Sequence, residues 1–148
     1  MIFNTDFEIG LRVCILLSLA YPDSLGTEDL TALDLISTYS KDYGVSDVNL
    51  HGDNKQSFNE VKSRRETVRK AIQKYGLDGY IGADNSSKGF RYVLTEDGRR
   101  LVSSLDSDYY DQYSQAAKKA FEFKKHLPKG ISLMKYVIDA AVPKGGKK

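Results

Sequence analysis

Residues 57–94 read SFNEVKSRRETVRKAIQKYGLDGYIGADNSSKGFRYVL, and the change of period partway along this stretch decides the fold. In its first half Phe58, Val61, Val68, Ile72 and Tyr75 recur at spacings of three, four and seven, which places them on one face of an α-helix. Lys62, Arg69 and Lys70 fall on other sides, so the same helix presents positive charge. Arg65 lies on the apolar stripe between Val61 and Val68, where an unpaired guanidinium is costly to bury; a carboxylate or backbone carbonyls are expected to meet it. Gly76 stops the helix. Beyond it, Ile81 and Ala83, a polar cluster at 84–89, and the alternation of Phe90, Tyr92 and Leu94 with Arg91 and Val93 predict a β-hairpin. Thr95 then supplies an N-cap, and Glu96 and Asp97 an acidic first turn, for a further helix bearing Leu101, Val102 and Leu105, despite the weak helix former Gly98.

Upstream, Asp6 is the expected cap for a first helix that is apolar on several sides (Phe7, Leu11, Cys14, Ile15, Leu16, Leu17, Leu19), as a central helix must be, and Tyr21-Pro22-Asp23 ends it. Thr27-Glu28-Asp29 opens a second helix with Leu30, Leu33, Leu35 and Ile36 as its buried face and its end near Tyr43-Gly44. Residues 45–55 carry Gly, Asn, Asp and His without a sustained period and read as a long surface loop. Three helices, a hairpin and a fourth helix in this order give a mainly α chain with a small β-hairpin, a winged helix-turn-helix domain over residues 1–106; the long loop between helices two and three is the point against it.

Residues 107–142 have a different texture. Tyr109, Tyr113, Ala116, Ala120, Phe123 and Leu127 form one helical stripe, widened by Tyr110, Ala117 and Phe121, with the lysines outside. A stripe of this width either folds back on the winged helix or docks on another subunit. Pro128-Lys129-Gly130 breaks the helix, Ile131, Met134, Val137, Ile138 and Ala141 make a short last one, and 143–148 is a basic tail.

The 148 residues suffice for one domain with a core. A single cysteine, Cys14, excludes a disulfide scaffold and reads as a buried thiol. The apolar run at 13–21 is far too short to span a bilayer and no secretory signal is evident, so a cytoplasmic protein without membrane contact is expected. The net charge is only +2, but residues 1–56 hold three Lys/Arg against nine Asp/Glu and residues 57–148 nineteen against eleven. Such an asymmetry suits an acidic partner or nucleic acid for the second half, or complementarity within the fold.

Catalysis is not expected. His51 and His126 stand apart, no paired CxxC or HxxxH spacing suggests a metal, no Gly-rich loop suggests a phosphate, and the acidic pairs sit at helix starts, where capping explains them. No cofactor is implied. Lys62, Arg69, Lys70 and Lys74 on the helix, with Lys88 and Arg91 on the wing, are the candidates for DNA phosphates; the alternative is a solvated face diluted by Glu60 and Glu66. Tyr109, Tyr110, Tyr113, Phe121 and Phe123 are the candidates for a protein interface, or else form an ordinary packing seam.

Asp6-Phe7 before an apolar helix ending Tyr21-Pro22, Leu33-Asp34-Leu35, Arg64-Arg65-Glu66, Gly76-Leu77, and Gly89-Phe90 leading to Thr95-Glu96-Asp97-Gly98 together resemble the small middle component of ABC three-component systems, the bacterial anti-phage operons of the Lamassu type. The likeness covers residues 6–105. It implies a non-catalytic winged-helix subunit that assembles with an SMC-like ABC ATPase and an effector, commonly a nuclease, in a complex sensing foreign double-stranded DNA. The alternative is a self-standing winged-helix transcription regulator, which predicts a homodimer on a palindromic operator.

Overall fold

Apolar residues on every side of 9–17 leave the first helix only the centre of the molecule. In the computed structural model, which describes residues 5–51, 58–86 and 89–141, α1 (Asp6–Ala20) is buried without interruption from Ile9 to Leu17, Arg12 included. Its cap is Thr5 rather than Asp6: the Thr5 hydroxyl accepts the Glu8 N–H at 3.1 Å. α2 (Thr27–Thr38) starts from Gly26 without a side-chain cap and is buried from Leu30 onward.

α2 ends at Thr38, earlier than the Tyr43-Gly44 expected. Residues 39–51 continue as turns folded against the body, with Tyr39 and Tyr43 buried. The Asn49 carboxamide oxygen accepts the N–H groups of Lys41 and Asp42 at 2.8 and 3.2 Å, and the His51 N–H donates to the Thr38 carbonyl at 3.0 Å. Within the segment read as a surface loop Val45 and Leu50 pack partly buried against the core while Val48 is exposed; residues 52–57 lie outside the described residues.

α3 (Phe58–Leu77) lies across α1 and α2 and buries Val61, Val68, Ile72 and Tyr75 of the face its periodicity predicts, with Ala71 beside them; the Phe58 side chain lies outside what the structure describes. The crossing with α1 is close, because a Cβ on Gly10 would overlap the Tyr75 ring. β1 (Ile81–Ser86) and β2 (Gly89–Leu94) pair antiparallel, Ile81 opposite Leu94 and Ser86 opposite Gly89. The buried pair Ile81 and Leu94 roots the hairpin in the core. Leu25 adds a bridge to its other edge, exchanging bonds of 3.0 and 2.8 Å with Tyr92. α4 (Glu96–Ser103) starts as expected, with the Thr95 hydroxyl accepting the Gly98 N–H at 3.0 Å.

α5 (Asp108–Lys125), capped by Ser107, and α6 (Leu133–Ala141) both pack on α2. Tyr113, Ala117, Ala120, Leu133, Met134 and Val137 join the same apolar cluster as α1, α2 and α3, so segments 1–106 and 107–142 share one core. The fold is thus mainly helical with a two-stranded antiparallel hairpin. Residues 39–57, not a short turn, join α2 to α3. Among the described residues no helix is long and apolar enough to cross a membrane.

Candidate functional site

The centre of the molecule holds a charge. Asp34, fully buried in α2, faces α1, α3 and α5 together. Arg12 of α1 grips it with both prongs, Nε to Oδ1 and Nη2 to Oδ2, each at 2.8 Å. Arg64 of α3 donates Nη1 to Oδ2 at 2.7 Å, and the Tyr113 hydroxyl of α5 donates to Oδ1 at 2.6 Å. Burial alone would push the Asp34 carboxyl up; the two guanidiniums and the phenol reverse this and hold it well below the usual carboxylate range.

The cluster reaches outward on two sides. Arg64 Nη2 lies 3.2 Å from Glu60, which is about a third exposed. Arg12 Nη1 donates to the Tyr109 hydroxyl at 3.3 Å, and that hydroxyl meets His51 Nε2 at 2.7 Å. The His51 ring also stacks on Tyr109, with centroids 5.9 Å apart. Burial, seconded by the Arg12 charge, lowers the His51 pKa from 6.5 to about 3, so the ring is neutral near pH 7.

The arginine that the apolar stripe hides is Arg64 and not Arg65. Arg65 does meet a carboxylate, Glu28, with Nη2 to Oε1 at 3.0 Å, but at the surface: its side chain is 28% exposed and that of Glu28 55%. Both positions flank the Val61 to Val68 stripe, and helical spacing alone does not separate them. The available signal was different: Arg12 and Asp34 each interrupt an otherwise apolar helix, and two opposite charges so placed ask for each other.

The expected cations divide into groups. Lys62, Arg69, Lys70 and Lys74 all lie on the exposed side of α3, where Arg69 pairs with Glu66 at 2.8 Å and Lys74 lies 3.8 Å from Asp78. Arg91 turns away from them and holds the segment before α2, donating Nε to the Ser24 hydroxyl at 2.8 Å and Nη2 to the Ser24 carbonyl at 2.5 Å. Lys88 lies outside the described residues.

The tyrosine helix folds back on its own chain. Tyr113 is fully buried in the Asp34 cluster, Tyr109 belongs to it, and Tyr110 donates to Glu8 at 2.7 Å. Phe123 packs edge-on against Tyr136 of α6 at 5.0 Å between centroids. Phe121 is half-buried and faces a groove of about 890 Å³ between the end of α1, the hairpin and the end of α5. Cys14 is buried and its thiol is pushed up to about 12 by desolvation, which makes it a poor nucleophile. Among the described residues no group of three or more His, Cys, Asp or Glu is placed to hold a metal ion.

The structure is thus a helical body pinned at its centre by its own ions, with cations and a partly apolar groove at its surface. The chain belongs to the family described as ABC-three component (ABC-3C) system Middle Component 2, whose model matches residues 2–142. It is thereby a component of an ABC three-component system, which implies partner proteins. The match extends past the 6–105 of the sequence resemblance to include α5 and α6. Neither the curated proteins nor the solved structures give a match.

Proposed function

We propose that this chain is a non-catalytic, cytoplasmic accessory subunit of a bacterial anti-phage defence complex of the Lamassu type, bridging an SMC-like ABC ATPase and an effector nuclease. The observation that carries the proposal is family membership along residues 2–142, a span that includes α1 to α6 and both strands of the hairpin among the described residues. In this reading α1 to α4 with the hairpin act as a winged helix. The exposed side of α3 touches the phosphates of double-stranded DNA through Lys62, Lys70 and Lys74, adding an affinity that is weak alone and strongly salt-dependent. The work of the subunit is positional: it restrains or releases the effector by changing which surfaces are covered when the ATPase engages DNA.

Co-expression with the products of the adjacent genes tests this. The expected result is a complex of three components on size exclusion, from which the Lys62→Glu, Lys70→Glu double variant loses DNA retention and not assembly. A homodimer that ignores those products and binds a palindromic operator with little loss at moderate salt would replace the proposal with a transcription regulator.

A further inference from the structure

We propose that the groove between α1, the hairpin and α5 seats an acidic, amphipathic segment of a partner component, an inference that rests on reading the chain as a subunit of a complex. The floor of the groove is apolar surface the fold leaves open. α1 is buried from Ile9 to Leu17, whereas Leu19 and Ala20 in its last turn are half-buried and line the groove. Phe121 meets them from α5 and Leu25 closes the bottom. At the mouth Tyr21 is 51% exposed, with the Arg99 guanidinium 4.8 Å from its ring centroid. The volume of about 890 Å³ is toward the upper end of what ligand-binding clefts offer, ~300–1,000 Å³.

The charges on the walls choose the occupant. Arg91, Lys118 and Lys124 line the groove, and among the described residues none of them forms an ion pair; the Arg91 guanidinium is bonded to the neutral Ser24. The rim carboxylate of Glu122 is already engaged by His126 at 3.1 Å and Lys125 at 3.8 Å. Carboxylates on a bound segment therefore find the ammonium groups of Lys118 and Lys124, backed by the Arg91 charge that Ser24 holds in place, and charge complementarity orients the segment as well as attracting it. A nucleic acid fits less well. The apolar lining of Leu19, Ala20 and Phe121 offers a phosphodiester nothing, whereas an amphipathic helix buries its apolar residues there and can set its acids toward Lys118 and Lys124, away from Asp23 and Asp84.

The full-length chain, co-expressed with its partner components, carries benzoylphenylalanine in place of Phe121 and, as a control, in place of the exposed hairpin residue Phe90. Irradiation is expected to join position 121 to a partner component at a segment with apolar residues every three or four positions and Asp or Glu beside them; position 90 is expected not to reach that segment. The Lys118→Glu, Lys124→Glu double variant, altered only at side chains on the groove wall, is expected to bind that component about tenfold more weakly. Lysines in place of the segment's acids are expected to restore binding. The proposal is overturned if the complex assembles but position 121 joins to DNA or to nothing, or if the double variant binds as tightly as the parent. If the unaltered chain assembles with no partner, the subunit reading falls first and this inference with it.

Discussion

Asp34 accepts hydrogen bonds from Arg12, Arg64 and Tyr113, so its loss would strip the two core guanidiniums of the carboxylate they share and leave Arg64 with the outer Glu60. Asp34→Asn keeps the shape and removes the charge; it is expected to lower stability by about 3–5 kcal/mol, read as an earlier urea midpoint. Arg64→Ala is expected to cost a comparable amount, while Arg65→Ala, which breaks only the outer pair with Glu28, is expected to cost at most about 1 kcal/mol. This reverses the order that the apolar stripe suggests, because periodicity reports the face of a helix and not which of two adjacent residues finds a buried partner on another helix. His51 adds a dependence on pH. Its folded pKa of about 3 lies below the ordinary 6.5, so the unfolded chain takes up the proton first. Stability contributed by the neutral ring is complete above 6.5 and drains as pH falls toward 3, with the depressed Asp34 adding its own loss from the ordinary carboxylate range downward. Melting temperatures measured from pH 7 to pH 4.5 are expected to fall, and His51→Gln, which cannot take the proton, is expected to flatten the decline.

Two elements were read cleanly from sequence because their signals are local. The period of α3 and the alternation of β2 each lie within a short window, and the Thr95 cap stands beside the turn it closes. The end of α2 was misplaced because apolar Tyr39 and Tyr43 continue the pattern after the helix has stopped. Around the stop Ser37, Thr38 and Ser40 donate back to the carbonyls of Leu33, Asp34 and Ile36 at 2.6, 2.9 and 2.8 Å, which satisfies the hydroxyls in the buried turn. Gly98, a poor helix former at the start of α4, is explained by contact. A Cβ there would overlap the Tyr80 carbonyl and the Leu94 side chain, so glycine lets α4 sit on the root of the hairpin. Gly98→Ala is therefore expected to destabilise by about 1–3 kcal/mol, overriding its better helix propensity. Thermal unfolding of the variant checks this; a melting temperature at or above the parent's would remove the packing explanation.

At the scale of the whole molecule, the composition gave a division at residue 106 and the structure places a shared core across it. The change of texture at 107 is real, but it marks a helix that covers α2 and completes the Asp34 cluster rather than an appendage. Likewise part of the charge asymmetry is answered internally, as Asp34 and Glu28 of the acidic half meet Arg64 and Arg65 of the basic half. The groove was not legible at all, since its lining comes from the end of α1 and the residues after it, from Asp84 and Arg91 of the hairpin, and from the end of α5, and only the folded chain brings them together. A fragment of residues 1–106 is expected to lose cooperative unfolding by circular dichroism, because the apolar face of α2 and one oxygen of Asp34 would lack their cover. The position of Tyr113 has a consequence during synthesis. A ribosome delivers Arg12, Asp34 and Arg64 in turn, and the phenol that completes the carboxylate's coordination emerges some fifty residues after the last of them. Until then the nascent chain holds its ions in an unfinished shell, and the arrival of the tyrosine helix closes it.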